Sequence, residues 1–98
     1  MNTEIKEIDG KTVITVAGRL DTVTAPEFDK TVEGQGIAND IAIDCAEMEY
    51  ISSAGLRSFI TLLKRAKASG HILEIINLRQ SIRPIFDMTG FSSIFNIG

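Results

Sequence analysis

Between Ile41 and Ile76 a short apolar run, an amphipathic stretch of helical period and a second short apolar run follow one another, and that order leaves few ways to fold. Ile41-Ala42-Ile43-Asp44-Cys45-Ala46 reads as a buried strand, and Glu47 to Ile51 as the loop that leaves it. A helix is predicted to begin near Ser52 or Ser53. Leu56, Phe59, Ile60, Leu63 and Ala66 fall on one of its faces at a period of about 3.6 residues, and Arg57, Thr61, Lys64, Arg65 and Lys67 on the other. Gly70 supplies a left-handed stop, and the basic residues of the last turns suit the negative end of the helix dipole. His71 to Ile76 is a further strand. Two strands joined through one helix run parallel, with a right-handed crossover.

The flanking segments complete a mixed sheet. Thr3 to Ile8 and Lys11 to Gly18 are strands on either side of Asp9-Gly10, a dipeptide that tolerates the positive φ of a tight hairpin. The second of these strands is apolar on both faces and belongs inside the sheet. Leu20 to Val23 is a connection. Thr24-Ala25-Pro26-Glu27 matches a capping box, with Pro26 in the first turn where its missing N–H costs nothing. Phe28, Thr31 and Val32 then give a short apolar stripe, and Gly34 and Gly36 end the helix. A third helix is predicted over Ser81 to Met88, with Pro84 near its start and Gly90 as its stop. Ser93 to Ile97 is expected to add a short edge strand. The fold class is therefore α/β, a mixed sheet of four to five strands with an N-terminal hairpin and about three main helices largely on one face. With 98 residues and no linker, repeat or low-complexity segment, residues 1–98 are expected to form one domain.

Composition narrows the function. A net charge of −3 and a pI near 5.0 lack the basic footprint that phosphate-backbone binding leaves, so no direct nucleic acid partner is expected. No apolar run approaches the roughly 18–20 residues that span a bilayer, so no membrane insertion is expected either. The first residues show no basic region followed by an apolar one, and the single Cys45 has no partner for an internal disulfide. These features point to the cytoplasm.

In open α/β sheets, sites gather beyond the carboxyl ends of the parallel strands. Asp21 and Thr22 follow the second strand, Ser52 and Ser53 the third, and Asn77 the fourth, so these five residues are expected at one edge. A serine at a helix start can cap free backbone N–H groups with its hydroxyl. The same N–H groups receive a phosphate well, and phosphorylation adds about −1.5 to −2 charges. Elsewhere the pattern is plainer. His71 has no second ligand at a metal-binding spacing, Cys45 reads as a small core residue, and Asp44 is placed to anchor the loop before Ser52. Gly34-Gln35-Gly36 is a turn, and Gly55 marks a close-packed helix start, neither being a phosphate-binding fingerprint. Arg79 and Arg83 flank the third helix as solvated arginines able to meet an anion. Phe86, Met88, Phe91, Ile94 and Phe95 form an apolar cluster, mostly under the sheet.

Gly18-Arg19-Leu20-Asp21, Asp44, Tyr50-Ile51-Ser52-Ser53-Ala54-Gly55-Leu56-Arg57 and Phe86-Asp87-Met88-Thr89-Gly90-Phe91 resemble the successive landmarks of the STAS domain family. More narrowly, they resemble its stand-alone bacterial anti-sigma factor antagonists. In that family the loop before the central helix reads Asp-Ser-Ser/Thr-Gly-Leu, and the serine after the aspartate is phosphorylated by a partner kinase that doubles as the anti-sigma factor. The resemblance places the phosphoacceptor on Ser53, with Ser52 at the aspartate position and Ala54 at that of the second hydroxyl. It also implies that Asp21 orients the Ser53 hydroxyl or the loop backbone. Asp21, Thr22, Ser52, Ser53, Ala54, Gly55 and Arg57 would form the partner-binding surface, docking on the anti-sigma factor until Ser53 is phosphorylated, and a serine phosphatase would reset the switch. The alternative is a STAS subunit of a transport or stress-signalling complex, binding a partner or small ligand while Ser53 merely caps the helix. An enzyme is not indicated, because no metal cluster, nucleophile–base set or nucleotide loop is present. No cofactor is implied.

Overall fold

The computed structural model describes residues 1–97. Strands β1 (Asn2–Ile8) and β2 (Lys11–Leu20) form the antiparallel hairpin, with Asp9 at φ 50° and Gly10 at φ 75°, the pair of positive angles a two-residue turn requires. Helix α1 (Ala25–Glu33) leads to β3 (Ile41–Asp44) and β4 (Met48–Ile51). Helix α2 (Ser53–Ala68) then crosses to β5 (Leu73–Ile76). Helix α3 (Arg83–Met88), a single 3-10 turn (Phe91–Ser93) and β6 (Asn96–Ile97) complete the described chain. The sheet is ordered β1-β2-β3-β5-β6, antiparallel at the hairpin and parallel elsewhere, with β4 paired to β2.

Six strands stand where four to five were expected, because Met48–Ile51 is a strand and not a loop. The reason lies in β2, which runs to Leu20 and so extends past the end of β3. Thr15 is opposite Asp44, the last residue of β3, and the remaining edge of β2 is taken by β4, which sets Leu20 opposite Ile51. Gly18, read as a strand end, sits at φ 91° where the register shifts between Gly18 and Arg19. It bends β2 from one partner to the next without ending it.

The helices lie on one face. Ile14, Val16 and Leu20 of β2, Ile41 and Ile43 of β3, and Leu73 and Ile75 of β5 share a core with Phe28, Val32, Leu56, Phe59, Leu63 and Phe86 of the helices. The aromatic rings continue from Phe28 to Phe59, Phe95 and Phe86 with centroids 5.6 to 6.4 Å apart. Met88, by contrast, is 86% exposed and Ile94 47%. Helix α2 ends in a Schellman motif on Gly70 at φ 79°, where the Gly70 N–H donates to the Lys67 carbonyl and the His71 N–H to the Ala66 carbonyl.

Three local expectations are corrected. The cap of α1 is set three residues earlier than expected, by Asp21 with Thr24, while Thr24 makes no side-chain cap for the helix that follows it. Arg65 does not belong to the solvated face of α2: its guanidinium donates to the Val32 and Gln35 carbonyls at 3.4 and 3.1 Å, closing the C-terminus of α1. Helix α3 starts at Arg83 and not Ser81; ahead of it the Ile82 N–H closes a tighter turn onto the Arg79 carbonyl, which the Arg83 N–H shares.

Candidate functional site

The end of β2 and the head of α2 are tied by one backbone bond. Ser52 is extended at φ −99° and ψ 177°, its N–H donates to the Leu20 carbonyl at 2.9 Å, and its own carbonyl accepts the first helical bond from Leu56 at 3.0 Å. The Ser52 hydroxyl does not cap the helix. It is buried and, among the described residues, without a partner. Ser53, the first residue of α2, is exposed, and Ala54 beside it is half-buried. The first-turn amides of Ser53, Ala54 and Gly55 have no hydrogen-bond acceptor among the described residues. These are the donors that the positive end of a helix offers to an anion.

Gly55 is buried and, as a glycine, has no side chain to offer the surface. A Cβ there would lie 2.8 Å from Ile51 Cγ1 and 2.8 Å from Leu20 Cγ. Its absence lets α2 rest directly on the ends of β2 and β4.

Asp21 acts on its own loop and not on Ser53. Its Oδ1 accepts from the N–H groups of Val23 and Thr24 at 3.0 and 3.2 Å, while the Thr24 hydroxyl accepts from the Asp21 N–H at 2.9 Å. This is a reciprocal capping box, and the Ala25 N–H donates to the Asp21 carbonyl at 2.8 Å as the first turn of α1 forms. The Thr24 N–H bond, followed by those of Val23 and the Thr24 hydroxyl and by the charge of Arg19, holds the Asp21 carboxyl below the usual aspartate range. Arg19 lies 3.8 Å from Asp21 and stacks 4.5 Å from the centre of the Tyr50 ring, on the strand positions that pair across β2 and β4.

Asn77 does not join this group. Its amide donates to Asp44 Oδ1 at 3.1 Å, at the end of β3 and β5, and Asp44 is level with Thr15, five positions short of Leu20 along β2. Asp44 also accepts from the Ala46 N–H at 3.0 Å and so holds the turn between β3 and β4. His71 pairs with Asp40 at 3.3 Å, away from this edge.

Beside Ser53, an open groove of about 370 Å³ runs between α1 and α2. Thr22, Ala25, Pro26 and Asp29 form one wall, and Ala54, Arg57, Ser58 and Thr61 the other. Thr22, Ala54 and Arg57 were expected in the partner-binding set. Pro26, Asp29 and Thr61 were not, although 54, 57, 58 and 61 follow the one-face spacing of a helix. Val23, 85% exposed in the turn between β2 and α1, was also missed.

The STAS domain family model matches residues 2–98, and the chain belongs to that family. Among its relatives are the anti-sigma-B factor antagonist of Bacillus subtilis, 29% identical over 98 residues, and that of Listeria monocytogenes, 33% identical over 97. The alignments cover 99% and 96% of this chain and 90% and 85% of the two relatives. The crystal structure of an anti-sigma factor antagonist from Mycobacterium paratuberculosis has the same fold at a TM-score of 0.83 and 23% identity, over 98% of this chain and 83% of that one. Among the described residues, no helix is long and apolar enough to cross a membrane.

Proposed function

We propose that this chain is an anti-sigma factor antagonist, a regulatory cytoplasmic protein and not an enzyme, whose docking on its partner is switched by phosphorylation of Ser53. The carrying observation is the exposed Ser53 hydroxyl at the head of α2, with unengaged amides beside it and the groove below. Ala54 has no hydroxyl and that of Ser52 is buried, which leaves Ser53 as the acceptor in this loop.

The partner is an anti-sigma factor with serine kinase activity. The surface formed by Thr22, Ser53, Ala54 and Arg57, spaced by Gly55 and backed by Asp21 and Ser52, docks on it while Ser53 is free, and the sigma factor is released. In phosphorylation the Ser53 oxygen takes the γ-phosphoryl of ATP, the bond to the β-phosphate breaks, ADP leaves and the hydroxyl proton passes to a kinase base. Docking would have to desolvate the added charge at an interface built for the free hydroxyl, which costs a few kcal/mol. A serine phosphatase restores the docking form. Incubation with ATP and the cognate kinase, followed by peptide mass spectrometry, tests this reading: one phosphate on Ser53 is expected, and none on Ser53 contradicts it.

A further inference from the structure

We infer that Arg57 captures the phosphate of phospho-Ser53, so that phosphorylation withdraws from the groove the cation a partner would read and lays a negative charge over its mouth. The inference rests on Ser53 being the phosphoacceptor and names how its modification is transmitted to the docking surface.

Ser53 is the first residue of α2 and Arg57 lies one turn further on. Residues four apart share a helix face, separated by about 6 Å of rise. Helical side chains lean toward the N-terminus, so a long arginine at 57 reaches back over the turn that carries Ser53. An acid placed four residues before a base is also the favourable order with respect to the helix dipole.

Arg57 is exposed, lines the groove, and among the described residues its guanidinium has neither an ion pair nor a hydrogen bond. The other charged groups of this edge are engaged or set apart. Arg19 is held between Asp21 and Tyr50, and Asp21 accepts from Val23 and Thr24. Asp29, on the facing wall, makes no ion pair with Arg57. A phosphate dianion therefore displaces no existing partner, and its oxygens match the guanidinium fork with two parallel bonds, a geometry lysine lacks. Arg57 is thus a positioning residue for the switch.

The test needs neither kinase nor partner. Phosphoserine is inserted at position 53 during synthesis of the full chain, in the parent and in Arg57→Lys and Arg57→Gln, and the second phosphate ionisation is followed by ³¹P NMR. The helix amides, Asp21 and Asp29 act alike in all three, so differences report residue 57. The parent is expected to titrate lowest and Arg57→Gln highest, by about half a pH unit or roughly threefold in the ionisation constant, with Arg57→Lys between. The Arg57 Nε–H resonance is expected to move and resist solvent exchange only when Ser53 is phosphorylated. Titrations agreeing within about 0.1 unit, or an Arg57 resonance indifferent to the phosphate, overturn the capture. Because the phosphate is installed directly, that failure leaves the kinase reading standing. Absence of phosphate on Ser53 after the kinase reaction sinks the reading without touching the titration.

Discussion

The Ser52 N–H donates to the Leu20 carbonyl at 2.9 Å, and this bond joins the head of α2 to the last residue of β2. It seats the phosphoacceptor candidate next to the Asp21 loop, and it works only because α2 comes close enough for Gly55 to touch both strand ends.

Gly55→Ala sets two effects against each other. Alanine gains about 1 kcal/mol of helix propensity, but its Cβ would lie 2.8 Å from two fully buried side chains, Leu20 and Ile51, which have no solvent to move into. Overpacking wins, with a net loss of about 1–2 kcal/mol in urea unfolding. A gain in stability would show that the contact relaxes freely.

Ser52→Ala reverses the usual result for a serine at a helix N-cap. The hydroxyl makes no cap bond and is buried without a partner, so deleting it removes a desolvation cost and no interaction. Stability is expected to stay level or rise by up to about 1 kcal/mol. A loss of that size in urea unfolding would mean that the hydroxyl caps the helix in solution.

The Asp21 box imposes a pH signature. Its carboxyl is held low, chiefly by the Thr24 N–H, so the ionised form favours the folded state. That contribution is present above the unfolded value near 3.8 and is lost as pH falls through the lowered folded one. Asp21→Ala is expected to lower the urea midpoint at pH 7, and the gap to the parent should shrink well below pH 4. A constant gap would mean that the carboxylate charge is not what the box uses.

Cys45 should be inert in the folded chain. Burial, assisted by Asp44, pushes its thiol up to about 12, so at pH 8 the reactive thiolate is roughly a thousandfold scarcer than in the unfolded chain. A thiol reagent should therefore modify unfolded protein rapidly and native protein only through unfolding. The same shift leaves stability unchanged below about pH 9 and lowers it as pH rises from about 9 to 12, where only the unfolded chain ionises. Rapid native labelling at pH 8 would contradict the burial.

The sequence showed the crossover from Ile41 to Ile76, the hairpin at Asp9-Gly10 and the stop at Gly70, because each is written in local periodicity or in a backbone angle few residues adopt. Met48–Ile51 was illegible for the opposite reason: a strand of four residues has no period to speak of, and its pairing depends on how far β2 outruns β3. Asn77 was misplaced by the same unseen offset. At the site, the positions of Ser53 and Arg57 could be read from helix spacing, whereas Asp29 and Pro26 came into view only once α1 was laid beside α2. Thr24 was read as the cap because Glu27 follows it three residues on, but Asp21, with its own partner three residues on, took the role.

Affinity for the cognate anti-sigma factor, measured by calorimetry for Ser53→Ala and Ser53→Asp side by side, decides whether charge at position 53 governs docking. The alanine chain is expected to bind regardless of kinase and ATP, and the aspartate chain on the order of 100-fold more weakly, equivalent to about 3 kcal/mol. Equal affinities for the two would contradict it.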